Sequence, residues 1–159
     1  MNSDNSEEIF PVVDAAGNVV GKATRGECHG GSMLLHPVVH LHVFNSRGEL
    51  YLQKRPAWKD IQPGRWDTAV GGHVDYGETI AEALRREVRE ELGITDFVPG
   101  AVAVYPFRSE REYELVHVFR TVYDGEVRSL TAGVSGPRTK SAKTSDRVFS
   151  HPTSKARPD

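Results

Sequence analysis

The sequence predicts an α+β fold: a mixed sheet with an N-terminal β-hairpin, at least one packed helix, and a disordered C-terminal tail. Three observations predict it. Short β-branched and aromatic runs recur along most of the chain, separated by clusters of Gly, Asn, Ser and Pro. One stretch, residues 79–92, instead repeats its apolar side chains every fourth position. From Ser129 onward large apolar side chains are scarce, and Ser, Thr, Lys, Arg, Pro and Gly dominate.

The elements follow in order. Residues 8–13 (EIFPVV) and 19–24 (VVGKAT) flank the turn AAGN and make the first hairpin. Residues 36–45 (HPVVHLHVFN) and 50–55 (LYLQKR) flank SRGE and make a second. Residues 56–66, PAWKDIQPGRW, read as a loop because prolines and a glycine punctuate them, with Trp58 and Trp66 as anchors. DTAVGGH, residues 67–73, is a short strand that ends at a glycine turn. Thr79 and Glu82 form a T-x-x-E capping box. Ile80, Leu84, Val88 and Leu92 supply the apolar stripe of the helix that follows. Gly93 stands where a left-handed cap belongs, and Ile94 is placed to pack back on the last turn. Residues 97–107 and 113–123 are two further strands around RSERE.

Composition bounds the function. A chain of 159 residues suffices for one domain with a core, expected over residues 1–130, with the tail at 131–159. The net charge of −2 gives no footprint of a nucleic-acid binder. The tail is basic and the remainder acidic. The single cysteine, Cys28, excludes an internal disulfide framework and fits a reducing compartment. The opening MNSDNSEE has no apolar run to serve as a signal peptide or membrane span, so a cytoplasmic protein is expected.

The chemistry concentrates on the helix. Glu87, Glu90 and Glu91 stand at i, i+3 and i+4, one helical face away from the apolar stripe. Three carboxylates so close repel one another, and a divalent cation removes the conflict. Hard oxygen ligands suit Mg²⁺ or Mn²⁺, which keep water and bind substrate phosphates. By i±4 spacing, Arg86 is expected to reach Glu82 or Glu90 and hold a ligand in place.

Residues 72–94, GHVDYGETIAEALRREVREELGI, are identified as a Nudix box, G-x5-E-x7-R-E-U-x-E-E-x-G-U with U aliphatic. Gly72, Glu78, Arg86, Glu87, Val88, Glu90, Glu91, Gly93 and Ile94 fill its fixed positions. The resemblance implies an α/β/α sandwich with the box as loop–helix–loop. It also implies cleavage of a diphosphate linkage in a nucleoside diphosphate derivative or related small diphosphate. Glu87, Glu90 and Glu91 would hold Mg²⁺ or Mn²⁺ and carry the catalysis, with the Gly72 carbonyl as a further ligand. Glu78, Arg86 and Gly93 would be structural, Glu78 bracing the loop.

The flanks, LHVFNSRGELYLQKRPAWKDIQPGRWDTAVGGHVDYGE among them, resemble type I isopentenyl-diphosphate isomerase and its nearest Nudix relatives. That resemblance implies a second metal site of His29, His36, His73, Glu112 and Glu114, and places Arg55 and Lys59 on the substrate diphosphate. The departures favour hydrolysis. Gly71 stands where the isomerase has its catalytic cysteine, and the isomerase lacks the full glutamate set present here. The expected partner is a small-molecule diphosphate, with no nucleic-acid polymer and no membrane. The alternatives are an isomerase-like enzyme, disfavoured by Gly71, and a non-catalytic nucleotide-binding domain, disfavoured by the intact glutamates.

Overall fold

The computed structural model describes residues 6–54, 66–67, 69–127 and 138–139. In chain order its elements are β1 (Ile9–Val13), β2 (Val19–Thr24), α1 (Arg25–His29), β3 (Leu35–Phe44), β4 (Leu50–Lys54), β5 (Trp66–Asp67), β6 (Val70–His73), α2 (Ile80–Leu92), β7 (Gly100–Arg108), β8 (Tyr113–Val122) and β9 (Arg138–Thr139). Strands β1 and β2 form a two-stranded sheet. The larger sheet runs β5-β4-β3-β8-β7, with β6 beside β3 and β9 beside β4. The chain gathers into two compact units, one of residues 1–40, 71–87 and 101–119, the other of residues 41–70, 88–100 and 120–159.

In the first unit the N-terminal hairpin is closed by Asp14. Its Oδ1 accepts from the backbone N–H of Ala16 (3.0 Å) and of Asn18 (2.9 Å). Helix α1 follows directly on β2. Thr24 Oγ1 accepts from the Glu27 N–H at 3.1 Å, and Glu27 Oε1 accepts from the Thr24 N–H at 2.8 Å. This capping box is visible in the sequence as Thr24-Arg-Gly-Glu27, yet the strand pattern that ends at Thr24 hides the single turn behind it. Phe10, Ala23 and Cys28 are buried together, with Val12 and Leu34 packed against them. Val38 of β3 joins Val116 and Val118 of β8 in a second cluster.

In the second unit Val43 pairs with Tyr51 and Phe44 with Leu50, the expected second hairpin. Phe44, Leu50 and Leu52 form its core. The last turns of α2 bury Val88 and Leu92, and Ile94 is buried just beyond. Gly93 has φ +74°, the left-handed cap expected from the sequence. Strand β9 pairs with β4 at Tyr51↔Thr139 and Leu52↔Arg138. That pairing is an exception to the unstructured tail read from composition, and the rest of residues 128–159 lies outside the described residues.

Strand β7 ends the path of the larger sheet, and every one of its residues is exposed. Val102, Val104, Tyr105 and Phe107 all present apolar surface there. Pro106, which has no N–H to donate, is tolerated because the strand is at an edge.

Candidate metal centre and the acidic box

The acidic box begins at a tight turn. Gly77 has φ +93°, and the Glu78 N–H donates to the Asp75 carbonyl at 2.9 Å. Thr79 and Glu82 then close the capping box: the Glu82 N–H donates to Thr79 Oγ1 (3.1 Å) and the Thr79 N–H to Glu82 Oε1 (2.9 Å). With Glu82 committed to the cap, Arg86 turns elsewhere. Its Nε and Nη2 donate to Glu78 at 2.7 and 2.9 Å, and its Nη1 donates to Glu87 Oε2 at 3.0 Å. Nη2 also donates to the His73 carbonyl at 3.1 Å. These bonds of Arg86 run back into the loop and to its neighbour on the helix, because its length spans both. Burial would raise the Glu78 carboxyl, but the hydrogen bonds from Arg86 and Asp75 carry it below its usual value. Arg86 and the Asp75 N–H thus both donate to the Glu78 carboxylate.

Gly72 explains itself sterically. A Cβ there would collide with the carboxylate of Glu87, so the bare backbone is what lets that carboxylate lie against residue 72. Farther along α2, Glu90 is exposed and Glu91 half-buried. Burial first, and the charge of Glu91 second, push the phenol of Tyr51 on β4 upward.

A second cluster is assembled from three elements and a loop. His29 closes α1, His36 lies in β3, His73 ends β6, and Glu112 stands in the loop before β8. One ligand atom from each lies within 4.8 Å of all the others. His29 Nε2 and His73 Nε2 are 3.1 Å apart. Glu112 Oε1 lies 3.3 Å from His29 Nε2 and 3.5 Å from His36 Nε2. His36 is fully buried, and its Nδ1 lies 3.0 Å from the Leu34 carbonyl oxygen. A carbonyl only accepts, so Nδ1 carries the proton, and in the neutral ring Nε2 presents its lone pair to the cluster. His36 Nε2 and Glu112 Oε1 are both buried without a hydrogen-bond partner, although such atoms are normally satisfied. Two orphaned ligand atoms facing one point, among three imidazoles and a carboxylate, fit a divalent cation that takes nitrogen as well as oxygen.

The charges agree with that fit. Burial keeps His29 and His73 low, so both rings stay neutral and available as ligands. Burial would also lower His36, but Cys28, the Glu112 carboxylate and the Leu34 carbonyl outweigh it and raise the ring to about 10. Glu112 is lowered, first by His36. Burial, and then the charge of Glu112, push Glu114 up to about 7. Without a cation, a proton on His36 stands in for the positive charge that Glu112 requires.

The structure therefore brings together His29, His36, His73 and Glu112, while Glu114, two residues along in β8, is not among the four. Arg55 and Lys59 lie outside the described residues. Gly71 sits in β6, two residues before His73. Sequence reasoning missed Phe10. Its ring stacks on His73 (centroids 4.6 Å, 8°) and on His36 (5.9 Å, 18°), and it is 1% exposed. It forms the apolar wall that fixes the imidazoles. Only its place in a predicted strand was visible, since nothing local links residue 10 to residues 36 and 73.

Comparison with known proteins places this fold in a family. A sequence profile of the NUDIX domain matches residues 34–144, and the chain belongs to that family. It is 40% identical over 87 residues to an uncharacterised Nudix hydrolase of Nostoc sp., covering 55% of this chain and 52% of that protein. It thus spans about half the length of that relative. It is 33% identical over 127 residues to isopentenyl-diphosphate Delta-isomerase 2 of Photorhabdus laumondii, covering 76% of this chain and 70% of that one. Among solved structures it is similar to DR0079 of Deinococcus radiodurans, with a TM-score of 0.68, 27% identity and 82% of each chain covered. No helix among the described residues is long and apolar enough to cross a membrane.

Proposed function

We propose that this chain is a divalent-metal-dependent hydrolase of a diphosphate linkage, acting on a nucleoside diphosphate derivative or a related small diphosphate. The observation that carries the reading is the Glu87 carboxylate, fixed by Arg86 and lying against the bare backbone of Gly72. In this reading Glu87, Glu90 and Glu91 on α2 hold Mg²⁺ or Mn²⁺, with the Gly72 carbonyl beside them. Such a cation, when bound, neutralises the diphosphate and lowers the pKa of a water. The protein's own part is to orient the carboxylates, to accept a proton at one of them, and to hold the diphosphate through Arg55 and Lys59. His29, His36, His73 and Glu112, with Glu114 beside them, hold a second cation. The carboxyl-rich box and the membership of the family support an enzyme of small-molecule diphosphates rather than a polymer binder, and the single Cys28 fits a cytoplasmic place for it.

The similarity to the Photorhabdus isomerase favours one other reading, an isomerase-like enzyme of prenyl diphosphates. Gly71 speaks against it, because protonating a carbon–carbon double bond needs an acid at that point and glycine has none. The test is release of phosphate or nucleoside monophosphate from a panel of nucleoside diphosphate derivatives with Mg²⁺, run beside exchange of solvent deuterium into isopentenyl diphosphate. Release without exchange is expected, and Gly71→Cys should not create exchange. Exchange by the unaltered protein, with no release from any panel member, would reverse the assignment.

A further inference from the structure

The histidine cluster and the acidic box share one arginine. Arg86 Nη2 donates to the His73 carbonyl at 3.1 Å while Nη1 donates to Glu87 Oε2 at 3.0 Å. The same guanidinium therefore holds the backbone of a residue whose ring belongs to the histidine cluster and the side chain of a box carboxylate. Its two bonds to Glu78 anchor it from a third direction. The planar fork cannot swing to follow one acceptor without leaving another. Residue 72 adds a second constraint, because its backbone already touches the Glu87 carboxylate. A shift of the main chain at residues 72–73 must displace Glu87, Arg86, or both.

We propose that Arg86 is a positioning residue that couples cation binding at the two centres. A cation held by His73 fixes residues 72–73, and through Arg86 it orders the Glu87 carboxylate for a second cation. The proposal rests on the two-centre reading above. Two dications repel through space, which by itself would weaken each site when the other is filled. Pre-ordering of a ligand acts in the opposite sense, because the second cation no longer has to immobilise it. Coupling of this kind is reciprocal, so each cation raises the affinity of the other by the same factor.

The experiment loads the histidine centre with Co²⁺, whose visible absorption reports nitrogen ligation, and then titrates Mn²⁺ by the loss of the free-ion paramagnetic resonance signal. In the unaltered protein Co²⁺ loading should tighten Mn²⁺ binding about five-fold or more. Arg86→Lys keeps the charge but cannot span both acceptors, and Arg86→Gln keeps one donor group. Both should bring the ratio to one or below while the Co²⁺ spectrum stays. Arg85→Lys, one position away and exposed, should keep the parent ratio. A ratio at or below one in the unaltered protein, or a ratio that survives in a folded Arg86 variant, overturns the coupling and leaves both centres standing. Absence of a Co²⁺ spectrum in the unaltered protein, or one that His29→Ala does not change, overturns the centre itself and the coupling with it.

Discussion

The histidine cluster and the acidic box are built in opposite ways. The box side chains from Glu78 to Glu91 come from one continuous run of sequence, and a turn and a helix suffice to align them. The histidine cluster draws on α1, β3, β6 and the loop before β8, so only the folded first unit can assemble it. Their interiors differ as well. Arg86 is saturated with acceptors, whereas His36 Nε2 and Glu112 Oε1 are buried with none. A local network satisfies itself; a non-local one waits for a cation or a proton.

The comparison can be broken most forcefully at the box. Glu87→Gln and Glu91→Gln remove charge without removing shape, and each should lower turnover roughly 100-fold or more. Circular dichroism should be unchanged, since the apolar stripe of Leu84, Val88 and Leu92 is untouched. Turnover near the parent value in both variants would show that the chemistry lies elsewhere.

Gly72→Ala should be next in size. Its Cβ meets the Glu87 carboxylate, and overpacking of this kind costs about 1–3 kcal/mol. A fall in both Tm and turnover is expected, and an alanine variant as stable and active as the parent would show that the carboxylate moves freely.

The Arg86–Glu78 pair predicts an acid limb. The folded Glu78 carboxyl lies below its usual 4.5, so its contribution is complete above that pH and is lost as the pH falls through the lower folded value. Tm of the metal-free parent should drop on acidification below 4.5, and Arg86→Gln should flatten that drop. An identical acid limb in the variant would mean that the pair does not contribute.

The smallest effect belongs to the edge of the histidine cluster. Thr24→Ala removes the cap of α1, worth about 1 kcal/mol, and α1 carries His29. Co²⁺ affinity should weaken a few-fold while Mg²⁺-supported turnover is kept; unchanged Co²⁺ affinity would show that His29 is positioned by its other contacts.

What could be read in the sequence follows the same division. Thr79, Glu82, the apolar stripe and Gly93 were legible because capping and helical periodicity are local rules, and the structure repeats them bond for bond. The four residues of the histidine cluster are reached only through resemblance, since no spacing along the chain announces that His29, His36 and His73 converge. Helix α1 was hidden because one turn leaves no periodicity, and Phe10 because stacking on His73 is a tertiary contact. The bonds of Arg86 to Glu78 and to the His73 carbonyl are not legible, because spacing on a helix says nothing of a loop that folds back beside it.

The separateness of the two centres is tested most directly by the Co²⁺ absorption spectrum of three proteins: the parent, His36→Ala and Glu87→Gln. The account predicts a ligand-field band in the parent that is lost in His36→Ala, where an orphaned nitrogen of the cluster is removed, and retained in Glu87→Gln. A band that survives in His36→Ala, or vanishes in Glu87→Gln, would contradict it.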